Sequence, residues 1–296
     1  MSPPSVRGIL TELGYISTLM GEDIRIRRAG TRADFDSCVL LQRAVWGLSD
    51  LEITSAIQLI ATLHAGGLLH IAESAEGQAV GFAYAFPATR DGVCHLHSDM
   101  LAVLPDYQQR GVGVRLKWAQ RDDALARGID FITWTYDPLQ ARNAHLNLRR
   151  LGAEASLFLE NFYGITTAAL HHGLPTDRLL VRWALNSERV RRIAAEGERS
   201  AAVDMPPSAR INDVRWQAGW PISSEPRLDL DDPELLLEIP PEWDVICQKS
   251  PWVAGDWQAK VRRAFQTYFG RGYVAGDFAP TEEGGRRRPF YVLQKR

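Results

Sequence analysis

The chain has 296 residues, 45% of them hydrophobic and 24% charged, which is the composition of an ordinary globular protein with enough apolar material for a sizeable core. Its formal net charge of -2 supplies no basic field for nucleic acid or an anionic membrane, so neither is expected as a partner. Three cysteines, Cys38, Cys94 and Cys247, are too few and odd in number for a disulfide framework and fit a reducing, cytoplasmic setting.

In chain order, the opening "MSPPSVRGILTELGYISTLMGED" has a broken apolar pattern with Glu12 inside it. Residues 1–23 are therefore expected to form an extension and not a signal peptide. No stretch comes near the roughly 18 uninterrupted apolar residues of a membrane span. "IRIRR" at 24–28 predicts a strand. Thr31 and Asp34 stand at capping-box spacing before a helix that ends at Gly47. Ser49 and Glu52 repeat the spacing and predict a second helix opening there and reaching His64. "LLHIAE" and "AVGFAYAF" read as strands joined by the turn "SAEGQ". A strand over 93–104 follows, then a helix over 111–127, a strand in "IDFITWTY", a helix over 138–151, and strands near 153–159 and 178–185. Asp137 is placed to cap the 138–151 helix and Pro138 to fill its first position. From 186 to 233, charges, prolines and short apolar words predict a loop-dominated segment. "ELLLEIP", a helix near 251–269 and a hairpin closed by "TEEGGR" complete the chain. Trp216, Trp220, Trp243, Trp252 and Trp257 all lie in this last part, and such residues argue that it is folded.

The stretch "HLHSDMLAVLPDYQQRGVGVRLKWAQ", residues 95–120, joins a strand to a helix through Gln108-x-x-Gly111-x-Gly113. Glycines let backbone approach a ligand closely, and the first amides of a helix have no internal partners, so a pyrophosphate fits such a mouth. Leu116 stands where a dinucleotide fingerprint needs its third glycine, and no Gly-Lys-Ser/Thr follows, so neither of those phosphate loops is present.

"LAVLPDYQQRGVGVRLK" resembles the signature of the GNAT acyltransferases: strand, proline, then Gln/Arg-x-x-Gly-x-Gly/Ala opening a helix. The resemblance continues through "GIDFITWTYDPLQARNAHLNLRRLGA" and spans roughly residues 24–185. It implies an α/β (α+β) fold: a twisted, mixed but mostly antiparallel sheet flanked by helices that opens at an acyl-CoA site. Residues 186–296 are expected as a smaller C-terminal α/β subdomain docked on that core. The resemblance also implies that Gln108, Gln109, Arg110, Gly111, Val112, Gly113 and Val114 hold the pyrophosphate of coenzyme A. Backbone from Met100, Leu101, Ala102 and Val103 would then bind pantetheine and the oxyanion. The expected reaction is transfer of an acyl group, acetyl by default and succinyl as an option, from acyl-CoA to a primary amine of a small molecule such as an amino acid. A non-catalytic acyl-CoA sensor and a protein-lysine acetyltransferase stay open as alternatives, as does a homodimer.

Such a transfer needs a base, oxyanion donors and an acid. His95, His97 and Asp99 alternate along the strand and share a face if the pleat is regular. His97 is the candidate base, with Asp99 beside it. A His-x-His zinc pair lacks a third ligand at a sensible spacing, so no metal is expected. Many members of the family carry a tyrosine four residues before the glycine ending the later helix. Here that position is Leu148, which reads as core. Tyr163 or Tyr136 could supply the acid instead, as could water, and both also read as packing aromatics. Asn143, Asn147 and Arg150 form a polar stripe that would flank coenzyme A. Arg178 could grip a carboxylate on the acceptor or acyl group, and an internal pair with Asp177 is the plainer reading. The two apolar faces of the 111–127 helix suggest that one of them lies under the C-terminal part.

Overall fold

The computed structural model describes residues 24–164, 173–196 and 208–296; the expected extension 1–23 and the loop histidines His171 and His172 lie outside the described residues. Strand β1 (Arg25–Arg28) leads to helix α1 (Arg32–Trp46), whose capping box forms as expected. The Thr31 hydroxyl accepts from the Asp34 amide (3.3 Å) and the Asp34 carboxylate accepts from the Thr31 amide (2.9 Å). Gly47 closes the helix at φ 64. Helix α2 (Ala56–His64) starts later than expected, at Ser55. Ser49 and Glu52 do bond, hydroxyl to carboxylate at 2.8 Å, but they close only a turn. The reason is α1: Gln42 takes both the amide (2.8 Å) and the carbonyl (3.0 Å) of Thr54, so no helix can run through that residue.

Strands β2 (Leu68–Glu73), β3 (Ala79–Arg90) and β4 (Val93–Val103) form an antiparallel meander. A 3₁₀ turn (Pro105–Tyr107) and the glycine loop lead into α3 (Val112–Ala126), then β5 (Phe131–Tyr136). Asp137 does not cap the next helix directly. Its carboxylate accepts from the Leu139 amide (2.8 Å) inside a turn, and α4 begins at Ala141. Helix α4 (Ala141–Ala144) continues as a π-helical turn (His145–Arg150), followed by β6 (Glu154–Leu159) and β7 (Arg178–Ala184).

The segment expected to be loop-dominated carries α5 (Glu188–Glu196), β8 (Ala209–Arg210) and the hairpin β9 (Val214–Gln217) and β10 (Trp220–Ser223). Strand β11 (Glu234–Glu238), helices α6 (Trp243–Lys249) and α7 (Pro251–Gly270), and the hairpin β12 (Tyr273–Glu283) and β13 (Arg286–Lys295) complete the chain. Gly284 and Gly285 turn that hairpin at φ 60 and 73, which side chains with a Cβ rarely adopt.

Among the described residues, eleven strands form one sheet in the order β1-β2-β3-β4-β5-β7-β6-β12-β13-β11-β8. Pairing is antiparallel except at β4–β5 and β11–β8. The later strands join the earlier ones through one residue pair, Ala275 on β12 with Ala155 on β6. Side chains do the rest: a single apolar cluster holds Leu96, Val114, Ile132 and Trp183 together with Trp257, Phe265 and Tyr291. The second apolar face of α3 packs on the sheet, with Trp118 edge-on to Trp183 of β7 (5.3 Å). A sheet this wide meets both flanks of a helix laid across it. Because the apolar cluster crosses the β6–β12 seam, unfolding should be one transition. Tryptophan fluorescence and far-ultraviolet dichroism should give coincident melting curves; two separated curves would mean a second, independent core.

Candidate active site

Strands β4 and β5 pair only at Leu96–Ile132 and His97–Thr133, then part. Beyond that point β4 is bonded on its other edge to β3, with a register slip between Ser98 and Met100 that makes Asp99 the extra residue of a β-bulge. The Leu104 amide donates to Val80 of the neighbouring chain segment (2.9 Å). Donors alternate along an antiparallel strand, so the amides of Met100 and Ala102 also face β3, and those of Leu101 and Val103 face the opening. The Val103 carbonyl, on that same edge, accepts from the Gln108 side chain at 3.0 Å. The glycine loop thus arrives directly beside the parted strands.

Gly111 caps α3 at φ 78 with no side-chain cap. Gln109 holds φ 63, an uncommon conformation for a residue with a Cβ. The first turn of α3 therefore presents its amides outward, as helix starts do. Arg110 lies over the Tyr107 ring (5.4 Å). Val112 is buried against the sheet, and Val114 packs in the shared core. A Cβ at Gly113 would meet only ordinary contacts, 3.7 Å to Leu101 and 4.0 Å to Val103. Neither backbone angle nor packing within the protein demands a glycine there.

His97, Thr133 and Thr135 line one face of the opening. The His97 Nδ1 lies 3.0 Å from the Thr133 hydroxyl, and its ring packs on Phe86 (5.3 Å). Burial, helped by the charges of His95, Lys117 and Arg90, lowers the His97 pKa to about 4. Asp99 is reached by solvent, yet the walls around it desolvate the carboxyl and raise its pKa. Burial raises the pKa of Tyr84 on β3, and the charge of Asp99 adds to that rise. Two residues further along β5, the Thr135 hydroxyl meets the Tyr163 hydroxyl at 3.3 Å. The Arg178 guanidinium lies 5.3 Å from the Tyr163 ring centre. The expected Asp177–Arg178 pair does not form, since Asp177 is taken by Arg262 of α7 (2.9 Å). Tyr136 is buried, so of the two candidate acids only Tyr163 stands at the opening.

The stripe on α4 is broken. Asn143 is exposed, while Asn147 is buried, because the π-helical turn shifts the register between them. Leu148 is fully buried, the core position its sequence implies. A residue that pattern reading passed over is Lys117 of α3. Its amine is buried, donates to the Ser98 hydroxyl (2.9 Å) and lies 3.7 Å from the centre of the Trp134 ring. Ser98 donates onward to Gln120 (3.0 Å). The three residues pin the strand at the bulge that presents Asp99. Their signal is the spacing: Lys117, Gln120 and Ala124 share one helical face, and the third of them is apolar.

Residues 40–153 match the family model described as the acetyltransferase (GNAT) family, and the chain carries a domain of the GNAT superfamily. No curated protein matches the sequence. Among solved structures, the acetyltransferase of GNAT family from Streptococcus pneumoniae is 18% identical, covering 54% of this chain and 98% of its own, with a TM-score of 0.44. The ribosomal-protein-S18-alanine N-acetyltransferase from Escherichia coli is 18% identical, covering 60% and 97%, with a TM-score of 0.44. A GNAT family N-acetyltransferase from Escherichia coli in complex with CoA is 20% identical, covering 58% and 89%, with a TM-score of 0.38.

Two predictions follow from the electrostatics of this face. The His97 imidazole should titrate by NMR with a midpoint about 4. Its folded value lies below the unfolded value of about 6.5, so the associated stability is fully present above that pH and is lost as pH falls toward 4. Lys117→Met removes a desolvated amine while Ser98 keeps its bond to Gln120. It should raise the melting temperature and move the His97 midpoint upward; a lowered melting temperature would mean that the amine stabilises the fold outright.

Proposed function

We propose that this protein transfers an acyl group, acetyl by default and succinyl as an option, from acyl-CoA to a primary amine of a small molecule. The observation that carries the reading is the parting of β4 from β5 beside the Gly111 loop. It leaves unpaired strand edge and unpaired helix amides along one continuous path. The residues fit coenzyme A on the chain's own terms. Gly113 is a glycine that the protein itself does not require, and the amides of Gln109 to Val114 suit a pyrophosphate. Of the α4 asparagines, the exposed Asn143 is the better placed to bond the carrier.

When bound, the acyl thioester would supply an activated carbonyl. The Leu101 and Val103 amides face the opening and would stabilise negative charge developing on its oxygen. Of the two candidate bases, exposure favours Asp99, which solvent reaches, over His97, whose Nδ1 lies 3.0 Å from the Thr133 hydroxyl. Desolvation raises the Asp99 carboxyl and lowers the His97 imidazole to about 4, so it strengthens the first as a base and weakens the second. His97 would then be a neutral wall that orients the acceptor through Thr133. Tyr163 would protonate the leaving thiolate, with the Arg178 guanidinium 5.3 Å from its ring centre. Arg178 would also attract a carboxylate on the acceptor or acyl chain. The reading places acyl transfer within residues 24–185, in the cytoplasm.

A non-catalytic acyl-CoA sensor is the second reading, favoured by Leu148 in the core where a thiolate acid could stand. Release of free thiol in the presence of an amine separates the two. Titration with CoA, acetyl-CoA and succinyl-CoA should raise the melting point, a ligand at a hundredfold its dissociation constant adding about 2.7 kcal/mol. Gly113→Val should leave the melting point of the free protein unchanged and abolish these shifts. Retained affinity would show that the loop does not hold the phosphates.

A further inference from the structure

The wall of the opening that carries Tyr163 and Arg178 does not stand by itself. The Tyr163 amide donates to the Thr176 hydroxyl (2.8 Å) and the Phe162 amide to the Thr176 carbonyl (2.9 Å). The Thr176 amide donates to the Asn161 side chain (3.2 Å), and the Asn161 amide to the Asp177 carboxylate (3.0 Å). These bonds fold residues 161–164 onto 175–177 as one unit. Asp177, at its base, is buried.

Helix α7 grips that unit from outside. Arg262 donates to both oxygens of Asp177, Nε at 2.9 Å and Nη2 at 3.1 Å, and its third nitrogen reaches Glu160 at 2.7 Å. Gln266 donates to the other Glu160 oxygen (3.0 Å), and Gln258 to the Pro175 carbonyl (2.7 Å). Residues 258, 262 and 266 are four apart, so one face of α7 is committed to this grip. A forked guanidinium on a carboxylate fixes direction as well as distance, and one that orders a buried carboxylate transmits its position to whatever that carboxylate bonds. Here that is the Asn161 amide, two residues before Tyr163.

We propose that Arg262, supported by Gln258, is a positioning residue for the acceptor: α7 sets where the Tyr163 phenol and the Arg178 guanidinium stand relative to Thr135. The C-terminal part is thereby a component of the acceptor site, while none of these α7 bonds reaches the acyl-CoA loop. The inference rests on the acyl-transfer reading above.

The test uses the full chain, acetyl-CoA as donor, and the amino acids, tyramine and spermidine as acceptors, with release of free thiol as the readout and calorimetry for coenzyme A affinity. Arg262→Gln should raise the KM for the best acceptor about tenfold or more through misplacement of the wall, with coenzyme A affinity unchanged. Arg262→Lys, which keeps the charge but not the fork, should recover part of the loss. Gln258→Leu removes a neutral bond without stranding a buried charge. It should shift the acceptor KM in the same direction, and it decides the matter if Arg262→Gln does not fold. Unchanged acceptor KM in the folded variants, or an equal loss of coenzyme A affinity, would overturn the inference and leave the acyl-transfer reading standing. A wild-type protein that acylates none of these amines would overturn that reading, and the acceptor site with it.

Discussion

Two parallel strands that bond over two residue pairs and then diverge set the terms for everything around them. Past His97 and Thr133, the facing edges of β4 and β5 hold donors and acceptors that have lost their neighbour, and such groups are costly unless water or a ligand meets them. The divergence therefore creates a slot lined by backbone, open at one end to the first turn of α3. Keeping it open is a structural demand on the flanking elements. The bulge at Asp99 bends β4 away, and the buried chain Lys117–Ser98–Gln120 ties the bent strand to α3 on the face opposite His97. A lysine buried without a carboxylate is an expensive anchor, and it sits where the geometry of the slot is decided.

The second half of the chain is less an appendage than a continuation. Strand β12 bonds to β6 at one pair, yet α5, α6 and α7 hold the earlier elements at several points. Arg189 donates to the Leu148 carbonyl (2.9 Å), Trp243 to the Asp137 carboxylate (3.1 Å) and Tyr291 to the Pro138 carbonyl (2.8 Å). Asp137 is half-buried in that junction, and desolvation there pushes its carboxyl up to about 6. The segments that flank the end of β5, residues 137–140, 160–164 and 175–177, are thus held in place by later residues.

The order of strands and helices through β7 was legible because local signals agreed: the capping box at Thr31, the period-2 runs of β2 and β3, and the glycine cap at Gly111. Leu148 was legible as core for the same reason, since its helical neighbours Ala144 and Leu151 are apolar. Reading failed where a distant partner decided the outcome. Gln42 blocks helix formation at Thr54, which the Ser49–Glu52 spacing could not reveal. The turn at Asp137 and the π-helical turn that separates Asn143 from Asn147 depend on what packs against them. Residues 186–233 looked like loop because their strands are only two to four residues long, too short for a period to develop. His97, Asp99, Tyr163 and Arg178 were picked out by residue type and position, but the bulge at Asp99 and the approach of Tyr163 to Thr135 depend on distant pairing that no local signal carries. Lys117 was hidden because a lysine on a helix ordinarily faces solvent.

The continuation of the sheet has a consequence for how this protein meets others of its kind. Without β12, strand β6 would be an outer strand offering a row of unpaired amides and carbonyls, a template for adding a foreign strand. Among the described residues, the outer positions fall instead to β1 and β8. The first is four residues long, three of them arginine, and the second is two residues long. Short, charged rims are poor templates for edge-to-edge association. Among the described residues, the extension thus leaves a broad sheet whose borders offer little length for strand-by-strand pairing.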